Sequence, residues 1–293
     1  MTVLVGYLAG KGGRSALHLA VEAARTLKTA LAVVTVVPRP WTTPSPARID
    51  AEYAQYADVL AADSAEQARV LIEELDARLP VSFHKFAHRS VSGGLLDAVE
   101  ELQAEVLVLG SAADGALGQV IVGSTADRLL HSAPVPVAIS PRGYRGAKGA
   151  GLTRITCAYP GTPEAVPVVA RVAALAERLG VPMRVVTFAV RGRTMYPPQV
   201  GLHAEDAVLT EWARHSREAL ARLKSDGVLG ADVALQVVTG NGWDQALDAT
   251  EWLDGELLAL GTAPHSAVAH VFLGSRGTKI VRHSPVPVLV LPG

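Results

Sequence analysis

Two constellations of glycine and hydroxyl residues stand 151 positions apart with the same internal spacing. Gly110 and Gly123-Ser124-Thr125 are separated by twelve residues, and so are Gly261 and Gly274-Ser275. A glycine that closes a buried strand lets backbone approach a ligand, and Gly-Ser opening a helix offers free N–H groups, a hydroxyl cap and the positive end of the helix dipole. That is chemistry for an anion, phosphate above all. Turn-making glycines and capping serines would leave the same mark in a single copy; two copies in one register favour a ligand site.

Signatures of covalent or metal chemistry are absent from the sequence. It has no Gly-x-Ser-x-Gly nucleophile elbow, no His-Glu-x-x-His helix and no Cys–His arrangement. Cys157 falls on an expected buried strand. The close histidine pairs, His84 with His88 and His265 with His270, have no matching carboxylate motif and read as surface residues. Asp114 has no repeat partner, and Glu105 matches Glu256 only as a polar lead into a strand.

The elements that must position these residues repeat as well. Val106-Leu-Val-Leu-Gly110 recurs as Leu257-Leu-Ala-Leu-Gly261, Pro134-Val-Pro136 as Pro285-Val-Pro287, and Val33-Val-Thr-Val-Val37 as Val185-Val-Thr-Phe-Ala189 at an offset of 152. Within each half, short apolar runs alternate with longer amphipathic stretches, the pattern of parallel strands joined by crossover helices. The first half predicts strands at 2–6, 30–37, 81–88, 106–109 and 135–140, with helices at 14–27, 51–79, 93–102 and 125–131. The helix at 14–27 carries Leu17, Ala20, Val21 and Ala24 on one face. A proline-rich loop with Trp41 occupies 38–46. The second half predicts strands at 154–158, 183–190, 232–238, 257–260 and 286–291, with helices at 164–179, 205–224, 243–252 and 278–282. Ligands of such sheets sit beyond the carboxyl ends of the strands where the strand order reverses. The loops after the first, second and fourth strand of each half are therefore the places for a site.

The expected architecture is α/β: two tandem Rossmann-like domains, each a five-stranded parallel sheet flanked by helices. They span residues 1–141 and 153–293, with a glycine-rich, basic linker at 142–152. Lys and Arg number 27 against 28 Asp and Glu, a formal charge of -1, which gives no global field for nucleic acid or anionic membrane. One cysteine closes no intrachain disulfide and fits a reducing compartment. The N-terminus reads as a strand and not as a secretory signal, and the uncharged stretch 257–275 is broken by Gly261, Pro264, His265 and His270, so neither an export signal nor a membrane span is expected. Cytoplasm is the expected compartment.

Over essentially the whole chain the sequence resembles the universal stress protein family, as two tandem domains. The family's nucleotide signature, Gly, two residues, Gly, nine residues, Gly and a hydroxyl residue, stands here as Gly110-Ser-Ala-Ala113 with Gly123-Ser124, and as Gly261-Thr-Ala-Pro264 with Gly274-Ser275. Val3-Leu-Val-Gly6 and Arg14-Ser-Ala-Leu17 look like its first β-α unit. The resemblance implies an adenine nucleotide alpha hydrolase-like fold and binding of ATP or another adenine nucleotide. The glycine loops would hold phosphates and ribose, and a residue late in the second strand, Val36 or Phe188, would help hold adenine.

The departures are specific. The second glycine of the signature is Ala113 in one half and Pro264 in the other, and proline lacks the N–H a phosphate would want. The family's nucleotide-holding aspartate is Leu8 in the first half and Pro160 in the second. The residue before it is tyrosine in both, so Tyr7 and Tyr159 are candidates to line each pocket in its place. In the turn Gly10-Lys-Gly-Gly13, which is not a Walker loop, Lys11 together with Arg14 is placed to compensate, or else the turn is merely solvated; Arg276 faces phosphate or solvent.

The expected function is a non-catalytic stress-response and signalling module with degenerate nucleotide sites, the first half the better candidate to bind. The alternative is a nucleotide-free scaffold acting through protein contacts with a partner the sequence does not identify. An ATP hydrolase is disfavoured by the missing aspartate and base. The proline-opened last strands read as edges. By the family's pattern they would pair with each other as an intrachain pseudo-dimer, with further homodimerisation left open.

Overall fold

The computed structural model describes residues 2–10, 13–39, 49–75, 77–112, 116–146, 151–190, 202–262 and 275–292, excluding the side chains of 49–54, 202–207 and Ser275. Lys11, Ala113, Asp114, Pro264, Gly274, His265, His270 and residues 40–48, which take in all but the start of the proline-rich loop, lie outside the described residues. The chain divides into two compact units, Met1–Gly151 and Leu152–Leu291.

The first unit runs β1 (Thr2–Gly6), α1 (Arg14–Leu27), β2 (Ala30–Pro38), α2 (Ile49–Glu74), β3 (Val81–His88), α3 (Val91–Glu101), β4 (Val106–Gly110), α4 (Ser124–Ser132) and β5 (Val137–Ser140). Its strands lie parallel in the order β3-β2-β1-β4-β5. The core of β1 and β4, Val3 to Val5 and Leu107 to Val108, has no exposed surface, as expected of parallel strands covered on both faces. The predicted face of α1 packs against them, with Leu17, Ala20, Val21 and Ala24 all buried.

The second unit repeats the plan: β6 (Arg154–Ala158), a 3₁₀ turn (Pro163–Ala165), α5 (Val166–Leu179), β7 (Met183–Val190), α6 (Leu202–Ser225), β8 (Ala234–Gly240), α7 (Trp243–Asp248), β9 (Glu256–Gly261), α8 (Ser275–His283) and β10 (Val288–Leu291). The parallel order is β8-β7-β6-β9-β10. These are the two Rossmann-like domains the repeat predicts. In each, strand addition reverses beside the first strand, between β1 and β4 and between β6 and β9, which fixes the cleft where a ligand can enter.

Element ends differ from the sequence reading for local reasons. Helix α2 stops at Glu74 and not at residue 79: the Leu75 N–H donates to the Ile72 carbonyl at 3.2 Å, tightening the last turn, and Pro80 keeps residue 79 out of helix. The last strands start at Val137 and Val288, just past the prolines, which serve instead as acceptors: the Leu107 N–H donates to the Pro136 carbonyl at 3.0 Å and the Leu258 N–H to that of Pro287 at 2.9 Å. Helix α7 ends at Asp248, short of residue 252, and the Trp252 indole N–H donates to the Leu247 carbonyl at 2.8 Å. Among the described residues no helix is long and apolar enough to cross a membrane.

Residues 142–146, read from sequence as the start of a linker, lie on α1. The Gly143 N–H donates to Ser15 Oγ at 3.0 Å, the Tyr144 hydroxyl to Glu22 Oε2 at 2.5 Å, and the His18 ring to the Arg145 carbonyl. Ser15, His18, Glu22 and Thr26 form one stripe of the helix, and a Cβ on Gly151 would come 2.7 Å from Thr26 Oγ1.

Candidate functional site

The reversal between β1 and β4 opens a cavity of about 300 Å³ in the first unit. Strand β1 delivers Gly6, Tyr7 and Leu8 to it, β2 delivers Val34 and Val36, β4 runs out into it at Gly110, and α4 enters with Gly123, Ser124 and Thr125. Of the residues singled out in this half, Tyr7, Val36, Gly110, Gly123, Ser124 and Thr125 thus come together on one wall system. The Tyr7 N–H donates to the Val34 carbonyl at 2.9 Å, which continues the β1–β2 ladder one residue beyond the strand and turns the ring onto Gly13. Burial holds the phenol above its ordinary value, with Arg14 opposing, so it is protonated at neutral pH.

The cavity floor is apolar, made by Leu95 and Leu109, and its polar rim is made of hydroxyls and backbone. Ser111 Oγ accepts the Ile121 N–H at 2.8 Å and the Ala112 N–H donates to the Ile121 carbonyl at 2.9 Å, pinning the two ends of the loop that leads from β4 to α4. Helix α4 has Gly123 as its N-cap, which has no side chain to cap with, and among the described residues its first N–H groups meet no side-chain acceptor. Arg14 is not part of the cavity wall: its exposed guanidinium pairs with Glu74 at 2.6 Å, and its charge reaches the site only through its pull on the Tyr7 phenol.

The glycines separate the two halves. At Gly110 and Gly123 the backbone is outside the left-handed region. Among the described residues a Cβ would meet only Ala16 Cβ at 3.7 Å and Ala112 Cβ at 3.4 Å, respectively, so these neighbours would accept alanine at either. Their missing side chains keep the cradle before α4 clear. At Gly261 a Cβ would lie 2.3 Å from Val168 Cγ2, so there packing alone demands glycine.

The corresponding cavity of the second unit, about 400 Å³, is walled by Tyr159, Phe188 and Trp243, with Pro160, Gly261 and Arg276 at its edge. The Tyr159 N–H donates to the Val186 carbonyl at 2.8 Å, repeating the geometry of Tyr7, and burial again raises its phenol against the lowering pull of Arg222. Phe188 and Trp243 stand 6.3 Å apart between ring centroids at an interplanar angle of 57°. Ser275 opens α8. Trp243 escapes motif reading because it opens a helix away from both glycine loops. The signal that finds it is the offset of 152, which aligns it with Val91, the first residue of α3 and part of the first cavity's wall.

Away from both cavities, Glu256 is more than a polar lead into β9. It is fully buried, its carboxylate pairing with Arg154 at 2.6 Å and Arg184 at 2.8 Å and accepting the Thr156 hydroxyl. Arg184 and Arg154 also donate to the Glu251 carbonyl at 3.2 and 2.8 Å, which draws the chain out of α7 early. Cys157 is buried in β6 and its thiol is pushed up to about 12 by burial, which keeps it protonated and unreactive.

The chain matches the Universal stress protein family over residues 1–141 and again over 151–292. A universal stress protein of Mycobacterium tuberculosis is 62% identical over 293 residues, all of both chains. A single-length universal stress protein of Mycolicibacterium smegmatis is 29% identical over 143 residues, 48% of this chain and 99% of that one. The crystal structure of a universal stress protein from Archaeoglobus fulgidus superposes with a TM-score of 0.61 at 15% identity, covering 99% of this chain and 98% of the other. The chain belongs to the universal stress protein family, as a tandem member.

Proposed function

We propose that this chain is a non-catalytic stress-response and signalling protein of the cytoplasm whose first unit binds ATP or another adenine nucleotide. The observation that supports it best is the pair Gly110 and Gly123, glycine where, among the described residues, neither backbone conformation nor packing asks for it, at the opening of a nine-residue helix whose first N–H groups meet no side-chain cap among those residues. Tyr7 and Val36 would flank the base, and Ser124, Thr125 and the opening of α4 would meet the phosphates. The work is then a population shift read by a protein partner, with no bond made or broken. The absence of a nucleophile or base motif from the sequence is the ground for the non-catalytic part.

The losses at Leu8 and Pro160, and the capture of Arg14 by Glu74, favour a second reading, a nucleotide-free scaffold. One experiment separates them. The purified protein is denatured and any released nucleotide identified, and ATP, ADP and AMP are titrated calorimetrically into wild type and Gly123→Val. About one nucleotide per chain, lost when the valine side chain fills the cradle, is the expected result. No released nucleotide and no heat at millimolar ATP would leave the scaffold, and unchanged affinity in Gly123→Val would remove the first-unit site.

A further inference from the structure

The two cavities differ where a ligand would touch them. Val36 becomes Phe188, Val91 becomes Trp243 and Thr125 becomes Arg276, while the apolar strand pattern and the paired tyrosines are retained. The substitutions turn a pocket with one ring and a hydroxyl rim into one with three rings and a guanidinium. Phe188 and Trp243 meet at a tilt, leaving an angled aromatic wall of the kind that stacks on one flat ring and edges against its rim. A cavity of about 400 Å³ is large enough to take a bicyclic ring.

Arg276 supplies the other half of the recognition. Its guanidinium carbon lies 4.7 Å from the centroid of Trp212, which holds the group by its face. Among the described residues no carboxylate pairs with it. A guanidinium fixed by its face keeps its edge donors available for a bidentate carboxylate. Glu164 also lines this cavity, and its charge disfavours a ligand bearing several negative charges. Gly261 gives no sign of a phosphate cradle, since Val168 accounts for it.

We infer that the second unit's cavity binds a flat aromatic ring carrying a single carboxylate, a ligand class distinct from the nucleotide assigned to the first unit. The ring packs against Phe188 and Trp243 and the carboxylate meets Arg276. The inference does not depend on nucleotide binding by the first unit.

The test is calorimetric titration of the full chain with 2-naphthoate and, separately, with AMP. One saturable 2-naphthoate site per chain is expected. Arg276→Thr, at an exposed position where the fold is not at risk, should weaken it about tenfold or more by removing a charge-assisted hydrogen-bonded pair. Phe188→Val should weaken it roughly two- to tenfold by removing ring contact. Both variants install the residue found in the first unit. Absence of saturable heat at millimolar 2-naphthoate, or unchanged affinity in Arg276→Thr, overturns the inference. So does AMP that displaces 2-naphthoate and is itself weakened by Arg276→Thr. AMP heat sensitive to Gly123→Val belongs to the first unit, so the two readings fail separately.

Discussion

Glu256 has no exposed surface, yet it carries a charge shared between two guanidiniums and a hydroxyl. Such a group stays buried because both carboxylate oxygens are partnered: Oε1 by Thr156 and Arg184, and Oε2 by Arg154 and by the Leu253 N–H, which donates at 2.8 Å, while Arg184 Nε donates to Thr156 Oγ1 at 2.9 Å. Arg184 also lies over Trp252, 5.4 Å from the ring centroid. Glu256→Ala should lower the free energy of unfolding by about 3–5 kcal/mol, as measured by urea denaturation, because it strands buried arginine without a counter-charge. The repeat conceals this residue. Glu105 occupies the equivalent position, but Thr2 and Ala32 stand where the second half has Arg154 and Arg184, and only strand pairing shows which residues a carboxylate will meet.

Helices α1 and α5 end alike, with one residue in the left-handed conformation at positions 152 apart: Lys28 at φ 51° and Gly180 at φ 64°. The N–H of each reaches back into the last turn, so the geometry is demanded in both, but only Gly180 adopts it without a Cβ clash. Lys28→Gly should therefore stabilise the protein by about 0.5–1 kcal/mol, seen as a raised urea midpoint with unchanged slope. The apolar face of α1 is legible from the spacing of Leu17, Ala20, Val21 and Ala24, since a core-facing stripe follows the helical period whatever it packs on. The polar stripe of Ser15, His18 and Glu22 has the same periodicity, but its partners lie more than 120 residues along the chain.

At the scale of the whole molecule, the chain after β5 is fastened to α1 before it leaves the first unit, and His18, half-buried at that seam, makes the stability of the unit sensitive to pH. Burial, with Arg14 adding to it, holds the folded His18 below its ordinary value of 6.5, so the fold prefers the neutral ring. Above 6.5 both folded and unfolded rings are neutral and the effect is constant; as pH falls through 6.5 the unfolded chain takes up the proton first, and stability drops until the folded ring protonates too. The urea midpoint should fall between pH 7.5 and 5.5, and fall less in His18→Gln. The sequence by itself determined the duplication, the alternation of strand and helix, and the loops where a site must lie. These follow from local periodicity and chain order, which a linear pattern records. It also brought forward Tyr7, Gly110, Gly123, Phe188 and Arg276, residues that line the two cavities. The tertiary structure decided what each of them is free to do. Whether a glycine is open, as at Gly110, or filled by a neighbour, as at Gly261, and whether a guanidinium is spent, as at Arg14, or held ready over a ring, as at Arg276, depends on side chains that meet only after distant strands and helices have packed.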